Sequence, residues 1–149
     1  YWTALFGEDF LRDPEEAGVN SMLNYGYAVL RAIVARAICA AGLHPSMGLH
    51  HHNRYNPFCL ADDLMEPYRP VVDRIVFKAS GGSTAGLLLS KDEKRKLLQG
   101  LADARCEIGG ESKGLFDAAQ KTASSLAAVF GKDESRLALP TSLDAKARR

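Results

Sequence analysis

The chain has 149 residues, of which 46% are hydrophobic and 25% charged, and this length suits one compact domain with a sizeable core. Its 19 basic and 18 acidic residues give a net charge of +1, so composition alone does not indicate a nucleic-acid-binding protein. No apolar run is long enough for a membrane span and no secretory signal is visible, so we expect a soluble cytoplasmic protein without a membrane partner.

The first twelve residues predict a short helix that is already under way at the first residue. Tyr1, Trp2, Leu5 and Phe6 supply its apolar side chains. Because the chain starts at Tyr1 rather than Met, we expect a protein truncated at its beginning. The segment 13–18 contains a proline, a glycine and charges, which is typical of a connector.

A buried central helix is predicted from Ser21 to Ala41. Asn20 is a candidate N-cap, and Gly42 stands where a glycine commonly ends a helix. At about 100° per residue, Asn20, Asn24 and Arg31 lie within roughly 40° of one another on a helix that is otherwise apolar. Buried polar groups need partners, so this stripe should meet carboxylates, backbone groups or phosphate oxygens.

A loop and a second helix follow. The residues from His44 to Pro57 have no periodicity and carry three consecutive histidines, and Leu60 to Lys78 is helical with kinks expected at Pro67 and Pro70. Apolar residues gather on one side of this helix. Its other side is acidic, with one arginine: Asp62, Asp63, Glu66, Arg69 and Asp73.

The last third predicts two more helices. Gly81, Gly82 and Gly86 indicate a flexible connection to the apolar residues Leu87 to Leu89, and Ser90 with Glu93 forms a capping-box pattern. The helix that it opens, about Lys91 to Ala104, begins with a basic cluster. Its members are Lys91, Lys94, Arg95 and Lys96. Gly109 and Gly110 break the chain before a helix from Leu115 to Gly131, and we expect poor order after about residue 140.

Histidines and carboxylates about ten residues apart are chemically suited to Mg²⁺, Mn²⁺ or Zn²⁺. The zinc-protease, phosphate-loop and serine-elbow motifs are absent. From these residues alone, an exposed histidine loop and the solvated face of an amphipathic helix are the favoured interpretations, and the basic cluster is also typical of a solvated face. The three cysteines, Cys39, Cys59 and Cys106, suit neither a disulfide framework nor a thiolate zinc site and are predicted to be buried.

The order and spacing of several motifs change this interpretation. Asn20-x-x-Leu23-Asn24-Tyr25-Gly26-Tyr27 precedes Gly42-Leu43-His44-Pro45, which is followed by the histidine loop. Asn56-Pro57-Phe58 and Asp63-Leu64-Met65-Glu66-Pro67-Tyr68-Arg69-Pro70-x-x-Asp73 come next. Together they resemble the Cas-one family of CRISPR adaptation integrases, especially the form found in type II systems.

The resemblance implies an all-α catalytic domain that spans residues 1–149 and holds Mg²⁺ or Mn²⁺. The family's histidine ligand falls on His51 and its final acidic ligand on Glu66, while Asp63 is a further acidic position that supports the site and is itself a candidate metal ligand. The family's first glutamate would precede Tyr1. The family's N-terminal β-rich domain, which mediates homodimerisation and contacts the Cas-two protein, is also expected to be absent. We therefore expect this chain by itself to be inactive.

The activity implied is CRISPR spacer acquisition, in which a DNA 3′-hydroxyl is joined to the CRISPR repeat by transesterification. Six polar or aromatic residues are predicted to contact the DNA: Asn20, Asn24, Tyr25, Arg31, Arg54 and Arg69. Two competing hypotheses stay open. One is another metal-dependent phosphoesterase that acts on a small substrate, and the other is a helical DNA- or protein-binding module without catalysis.

Overall fold

The computed structural model describes residues 1–8, 10–81, 89–132 and 135–143. Over these ranges the protein is a bundle of helices with one small hairpin, which confirms the predicted all-α class. The elements in chain order are α1 (Trp2–Phe6), α2 (Val19–Ala40), α3 (Cys59–Met65), a 3₁₀ turn (Glu66–Tyr68), α4 (Arg69–Ser80), α5 (Lys91–Asp103), β1 (Arg105–Ile108), β2 (Glu111–Gly114) and α6 (Leu115–Gly131).

Helix α2 lies at the centre of the molecule and packs against α3, α4, α5 and α6. Apolar side chains surround it, and Met22, Leu23, Leu30 and Ile38 are fully buried. The prediction that Asn20 caps this helix is wrong, because the N-cap is Gly18 and Asn20 lies inside the first turn. Gly18 has a φ of 77°, a conformation that glycine adopts without strain, so the chain can enter the helix two residues earlier than expected.

The predicted kink between α3 and α4 is confirmed. Pro67 stands within the 3₁₀ turn and Pro70 is the second residue of α4, positions where a missing N–H group breaks few helical hydrogen bonds. Asp73 is only 3% exposed and accepts hydrogen bonds from the hydroxyls of Tyr1 and Tyr27, so its assignment to an exposed helix face is wrong.

The second half of the chain closes the core around α6. Ser90 caps α5 by accepting a hydrogen bond from the Glu93 N–H at 3.2 Å, as the capping-box pattern predicts. The hairpin of β1 and β2 was not predicted. Its connection is Gly109 and Gly110, whose φ values of 61° and 76° suit the tight two-residue turns that join antiparallel strands. Glu107 of β1 also pairs with Ser142 near the end of the described chain.

Some sequence predictions fall outside the described residues. They concern Gly82, Gly86, Leu87, Leu88 and the end of the chain from residue 144. Among the cysteines, Cys59 and Cys106 are buried as predicted, but the prediction for Cys39 is wrong, because it lies at the end of α2, where Ala40 is exposed as well. No helix in the described ranges combines the length and the apolar character needed to cross a membrane.

Candidate metal and nucleic-acid site

An open cleft of about 340 Å³ lies where α2 faces α3 and the 3₁₀ turn. Most of its walls are polar, with Met65 and Ala28 as the apolar exceptions. It brings together five residues of the predicted site: His51, Glu66, Asn24, Arg31 and Arg69. Because these residues come from two helices, a loop and a turn, the cleft depends on the complete packing of the first half of the chain.

His51 is held in the wall of the cleft by Asp63. The ring Nδ1 lies 2.5 Å from Asp63 Oδ1, and the His51 N–H donates to the same oxygen at 3.1 Å. The N–H groups of Leu49 and His50 donate to Asp63 Oδ2 at 2.6 and 3.0 Å. With Nδ1 engaged by the carboxylate, Nε2 is the ring nitrogen that has no hydrogen-bond partner among the described residues.

The environment of Asp63 favours its ionised form. Burial alone would raise its pKa, but hydrogen bonds from the His50 N–H, the His51 ring and the N–H groups of Leu49 and His51 outweigh burial and lower the pKa below its usual value. The side chain is 8% exposed, against 44% for His51. Asp63 is therefore a buried anion whose acceptor positions are largely taken by the loop.

Gly48 allows the loop to approach α3 this closely. A Cβ atom at this position would lie 2.2 Å from the His51 carbonyl oxygen and 2.8 Å from Cys59 Cβ. Both distances are shorter than any real contact. A side chain here would displace the backbone that positions His51.

Glu66 and Arg69, which also line the cleft, form an ion pair. Arg69 Nη1 donates to Glu66 Oε1 at 2.7 Å, and the side chains are 37% and 50% exposed. The guanidinium carbon of Arg69 also lies 4.4 Å from the centre of the Tyr27 ring. The pair leaves Glu66 Oε2 without a hydrogen-bond partner among the described residues.

Arg31 contacts both the histidine loop and α3. Its Nη2 donates to Asn56 Oδ1 at 2.9 Å and to Asp62 Oδ2 at 2.7 Å, and its Nε lies 2.7 Å from Asp62 Oδ1. The Phe58 ring is 4.7 Å from the guanidinium carbon. The charge of Arg31 is thus balanced within the protein, at the edge of the cleft.

The remaining predicted DNA contacts have partners inside the chain. Asn20 and Asn24 both accept hydrogen bonds from Arg12, at 2.9 and 2.5 Å, so the polar stripe of α2 binds the preceding connector. Tyr25 lies under Lys94 of α5, outside the cleft. Arg54 stacks on the neighbouring Tyr55 ring at 4.6 Å and borders a second groove, which also contacts His51. Their DNA contacts stay predictions.

Whether the cleft suits a divalent cation depends on the nitrogen and oxygen atoms of the side chains that line it. His51 Nε2 and Glu66 Oε2 supply one imidazole nitrogen and one carboxylate oxygen, a combination that suits Mn²⁺, Mg²⁺ or Zn²⁺. Within the described ranges no three His, Cys, Asp or Glu side chains converge on a point that could hold a metal ion. Two residues that the resemblance implies as metal ligands, His51 and Glu66, therefore line one cleft, and their role as ligands stays a prediction.

Sequence reasoning assigned no role to Arg12 or Tyr27 and placed Asp73 on an exposed helix face. A signal for Tyr27 was present, because it stands three residues after Asn24 and four before Arg31, on the same face of α2. The burial of Asp73 had no local signal, because its partners Tyr1 and Tyr27 lie 72 and 46 residues away.

The fold and the cleft define a helical domain with a histidine and carboxylate site. The family model described as "CRISPR associated protein Cas1" matches residues 11–101. The chain therefore belongs to the Cas1, or Cas-one, family.

Two relatives and one solved structure are similar to this chain. A protein of Neisseria meningitidis serogroup C, named CRISPR-associated endonuclease Cas1, is 40% identical over 98% of this chain and 48% of its own length. A Thermus thermophilus protein, named CRISPR-associated endonuclease Cas1 1, is 40% identical over 59% of this chain and 31% of its own. The structure titled "Casposase bound to integration product" superimposes with a TM-score of 0.66 and 27% identity, over 80% of this chain and 39% of that one. The chain thus spans about half of the Neisseria relative.

Proposed function

We propose that this chain is the helical catalytic part of a metal-dependent DNA integrase that acts in CRISPR spacer acquisition. The observation that carries the proposal is the cleft that is lined by both Glu66 and His51, the latter bonded to Asp63. Membership of the Cas1 family supports it, as does the fold shared with a casposase bound to an integration product. Histidine ligands of metal ions typically donate their second ring N–H to a carboxylate such as that of Asp63, and this bond fixes the tautomer and the ring orientation.

In this proposal His51 Nε2 and Glu66 hold Mg²⁺ or Mn²⁺, and Asp63 orients the histidine without binding the ion. When bound, the cation supplies Lewis-acid stabilisation of phosphate oxygens and helps to orient the reactants. The 3′-hydroxyl oxygen of the incoming DNA attacks a phosphorus atom of the repeat. One phosphodiester bond forms as another breaks, the attacking hydroxyl loses its proton and the leaving oxygen gains one, so no ATP is required.

Arg69 is the best placed residue for a phosphate contact, because it lines the same cleft as both ligands and is partly exposed. Its positive charge would offset the repulsion between phosphate oxygens and the carboxylates. Arg31 and Asn24, which also line the cleft, would act from its edge. Arg54 would contact DNA that continues into the neighbouring groove.

The proposal extends to parts of the assembly beyond these residues. We expect an upstream glutamate to complete the metal site, and a Cas-two protein and a second copy of the full-length protein to be partners. We also expect the 149-residue chain alone to be inactive in DNA joining. In this proposal His51 and Glu66 are the two ligands that this chain provides, and both line the cleft.

The test is strand joining by the longest protein that the gene encodes, with Mn²⁺, a purified Cas-two partner and a CRISPR-repeat DNA. His51→Ala and Glu66→Ala should each lower the joining rate by more than about 100-fold, since losing a ligand is more severe than losing an outer partner. Matched controls are His50→Ala on the same loop and Glu111→Gln on the hairpin, neither of which lines the cleft. Both should join DNA at nearly the wild-type rate.

Each alternative has its own signature in this assay. Joining that persists in both ligand variants would remove His51 and Glu66 from the mechanism. Metal-dependent cleavage of nucleotides, without joining of DNA, would favour a phosphoesterase of small substrates. DNA or protein binding that is indifferent to Mn²⁺, with no joining by the wild type, would favour a binding module.

A further inference from the structure

Asp73 is a buried carboxylate that the proposed mechanism does not use. It is 3% exposed, and each of its oxygens accepts a hydrogen bond from a tyrosine hydroxyl. Tyr1 donates to Oδ2 at 2.5 Å, and Tyr27 donates to Oδ1. A carboxylate at this depth is costly unless it is well paired, so these two bonds hold both hydroxyls firmly.

Tyr27 connects Asp73 to the cleft. Its hydroxyl faces Asp73, its ring lines the cleft, and the Arg69 guanidinium lies over that ring at 4.4 Å. Burial is the largest cause that raises the pKa of Tyr27, and the hydrogen bond to Asp73 is the next largest. The phenol therefore stays protonated and donates this bond. The ring is therefore anchored at one end while its face supports a cation, an arrangement that favours one position of Arg69.

Arg69 in turn fixes Glu66. Its Nη1 donates to Glu66 Oε1 at 2.7 Å, so one oxygen of the carboxylate is held and the other is left for a metal ion. Three consecutive contacts thus lead from the interior to the cleft: Asp73 to Tyr27, Tyr27 to Arg69, and Arg69 to Glu66. Each contact joins a more buried group to a more exposed one.

We propose that Asp73 is a positioning residue for the divalent-cation site, acting through Tyr27 and Arg69 on Glu66. The inference rests on the proposed function, because it takes Glu66 to be a metal ligand. Asp63 positions His51 on one side of the cleft. Asp73 has the corresponding role for Glu66, and it acts through two intervening side chains, those of Tyr27 and Arg69.

The first measurement is Mn²⁺ affinity, by electron paramagnetic resonance of free Mn²⁺, in the longest protein that the gene encodes. Tyr27→Phe keeps the ring and removes the hydroxyl, and we expect the dissociation constant for Mn²⁺ to rise about tenfold, at the low end of the effect of losing an outer partner. The matched control is Tyr68→Phe. Its hydroxyl is equally buried and bonds Thr122 at 2.7 Å, outside the cleft. This control should lower the unfolding temperature to a similar extent without changing Mn²⁺ affinity.

A double-mutant cycle then tests the route. If the effect passes through Arg69, Tyr27→Phe should no longer change Mn²⁺ affinity when Arg69→Ala is already present. Asp73→Asn keeps an oxygen acceptor for Tyr27 and should retain more affinity than Asp73→Ala. A Tyr27→Phe protein that binds Mn²⁺ like the wild type would overturn the inference, and so would an undiminished effect in the Arg69→Ala background.

Failure of the inference can be distinguished from failure of the proposed function. His51→Ala is measured in the same titration. If His51→Ala weakens Mn²⁺ binding and Tyr27→Phe does not, the metal site stands and the role of Asp73 is wrong. If neither His51→Ala nor Glu66→Ala changes the affinity, the proposed metal site itself is wrong.

Discussion

At the scale of single residues, Asp63 controls the geometry of the histidine loop. Its carboxylate accepts three backbone hydrogen bonds and one from the His51 ring, all from residues 49–51. A residue with so many donors already bound is poorly placed to give an oxygen to a metal. Its contribution is better explained as orientation of His51, which differs from the direct ligand role that the resemblance left open.

The first prediction at this scale concerns Asp63→Asn. The amide keeps the size of the side chain but places an NH₂ group where an oxygen now faces backbone donors, and we expect Mn²⁺ affinity to fall by about 10- to 100-fold. The free energy of unfolding should fall by about 2 kcal/mol, because charge-assisted hydrogen bonds are lost in a buried position. Metal titration and urea unfolding measure the two effects. The control is Asp103→Asn, on an exposed part of α5. Wild-type Mn²⁺ affinity in Asp63→Asn would contradict the prediction.

Local sequence patterns predicted the residues of the cleft better than their partners. The family resemblance implied that His51 and Glu66 belong to one site, and both residues line the cleft. It did not distinguish Asp73 from the exposed acids of the same helix, because its burial depends on Tyr1 and Tyr27, which lie 72 and 46 residues away. Periodicity reports which face of a helix is apolar. It carries no information about a tyrosine hydroxyl, distant in the sequence, that donates a hydrogen bond to a buried carboxylate of that helix.

At the scale of elements, the distance between α2 and α4 is set by a glycine. A Cβ atom on Gly26 would lie 2.4 Å from Val72 Cγ1, so the two helices touch at this point. Tyr27 and Asp73, which follow these two residues in the chain, are thereby brought close enough to bond. The helix contact and the hydrogen bond next to it are parts of one arrangement.

We predict that Gly26→Ala destabilises the protein although alanine favours helix formation. The clash with Val72 should lower the free energy of unfolding by about 1–3 kcal/mol, the usual effect of overpacking, against about 1 kcal/mol gained from helix propensity. Urea unfolding measures the net change. Val72→Ala in the same protein should restore part of the loss, since it removes the clashing methyl groups. An additive double variant would show that the clash is not the cause.

Element boundaries show where sequence reasoning succeeds and where it fails. The break between α3 and α4 was predictable, because proline acts on its own backbone. The hairpin was missed, since strands of four residues such as Arg105–Ile108 have too few side chains for a clear alternation. The basic start of α5 was noticed, but two of its cations pair within the helix, Lys96 with Glu93 at 2.8 Å and Arg95 with Asp92 at 3.8 Å.

At the scale of the whole molecule, the cleft is assembled from segments that are far apart in the sequence. Helix α2 contributes Asn24 and Tyr27, the loop contributes His51, and the 3₁₀ turn contributes Glu66. Each is held by a polar contact to another segment, so local unfolding of any one of them would disturb the others. Acidic pH is a suitable probe of this coupling, because the loop is fastened to α3 through an ionised carboxylate.

The final prediction is the pH dependence of stability. The folded-state pKa of Asp63 is lower than its unfolded value of about 3.9, so its contribution is complete above that value and is lost as the pH falls through the folded-state pKa. We expect the free energy of unfolding, measured in urea from about pH 7 to pH 2, to fall less steeply below about pH 4 in Asp63→Asn than in the wild type. The pKa of Glu111 is also lowered, by its hydrogen bond to Lys113, but this residue is exposed, and Glu111→Gln should follow the wild-type curve. Parallel curves for Asp63→Asn and the wild type would mean that the loop is held by something other than this carboxylate.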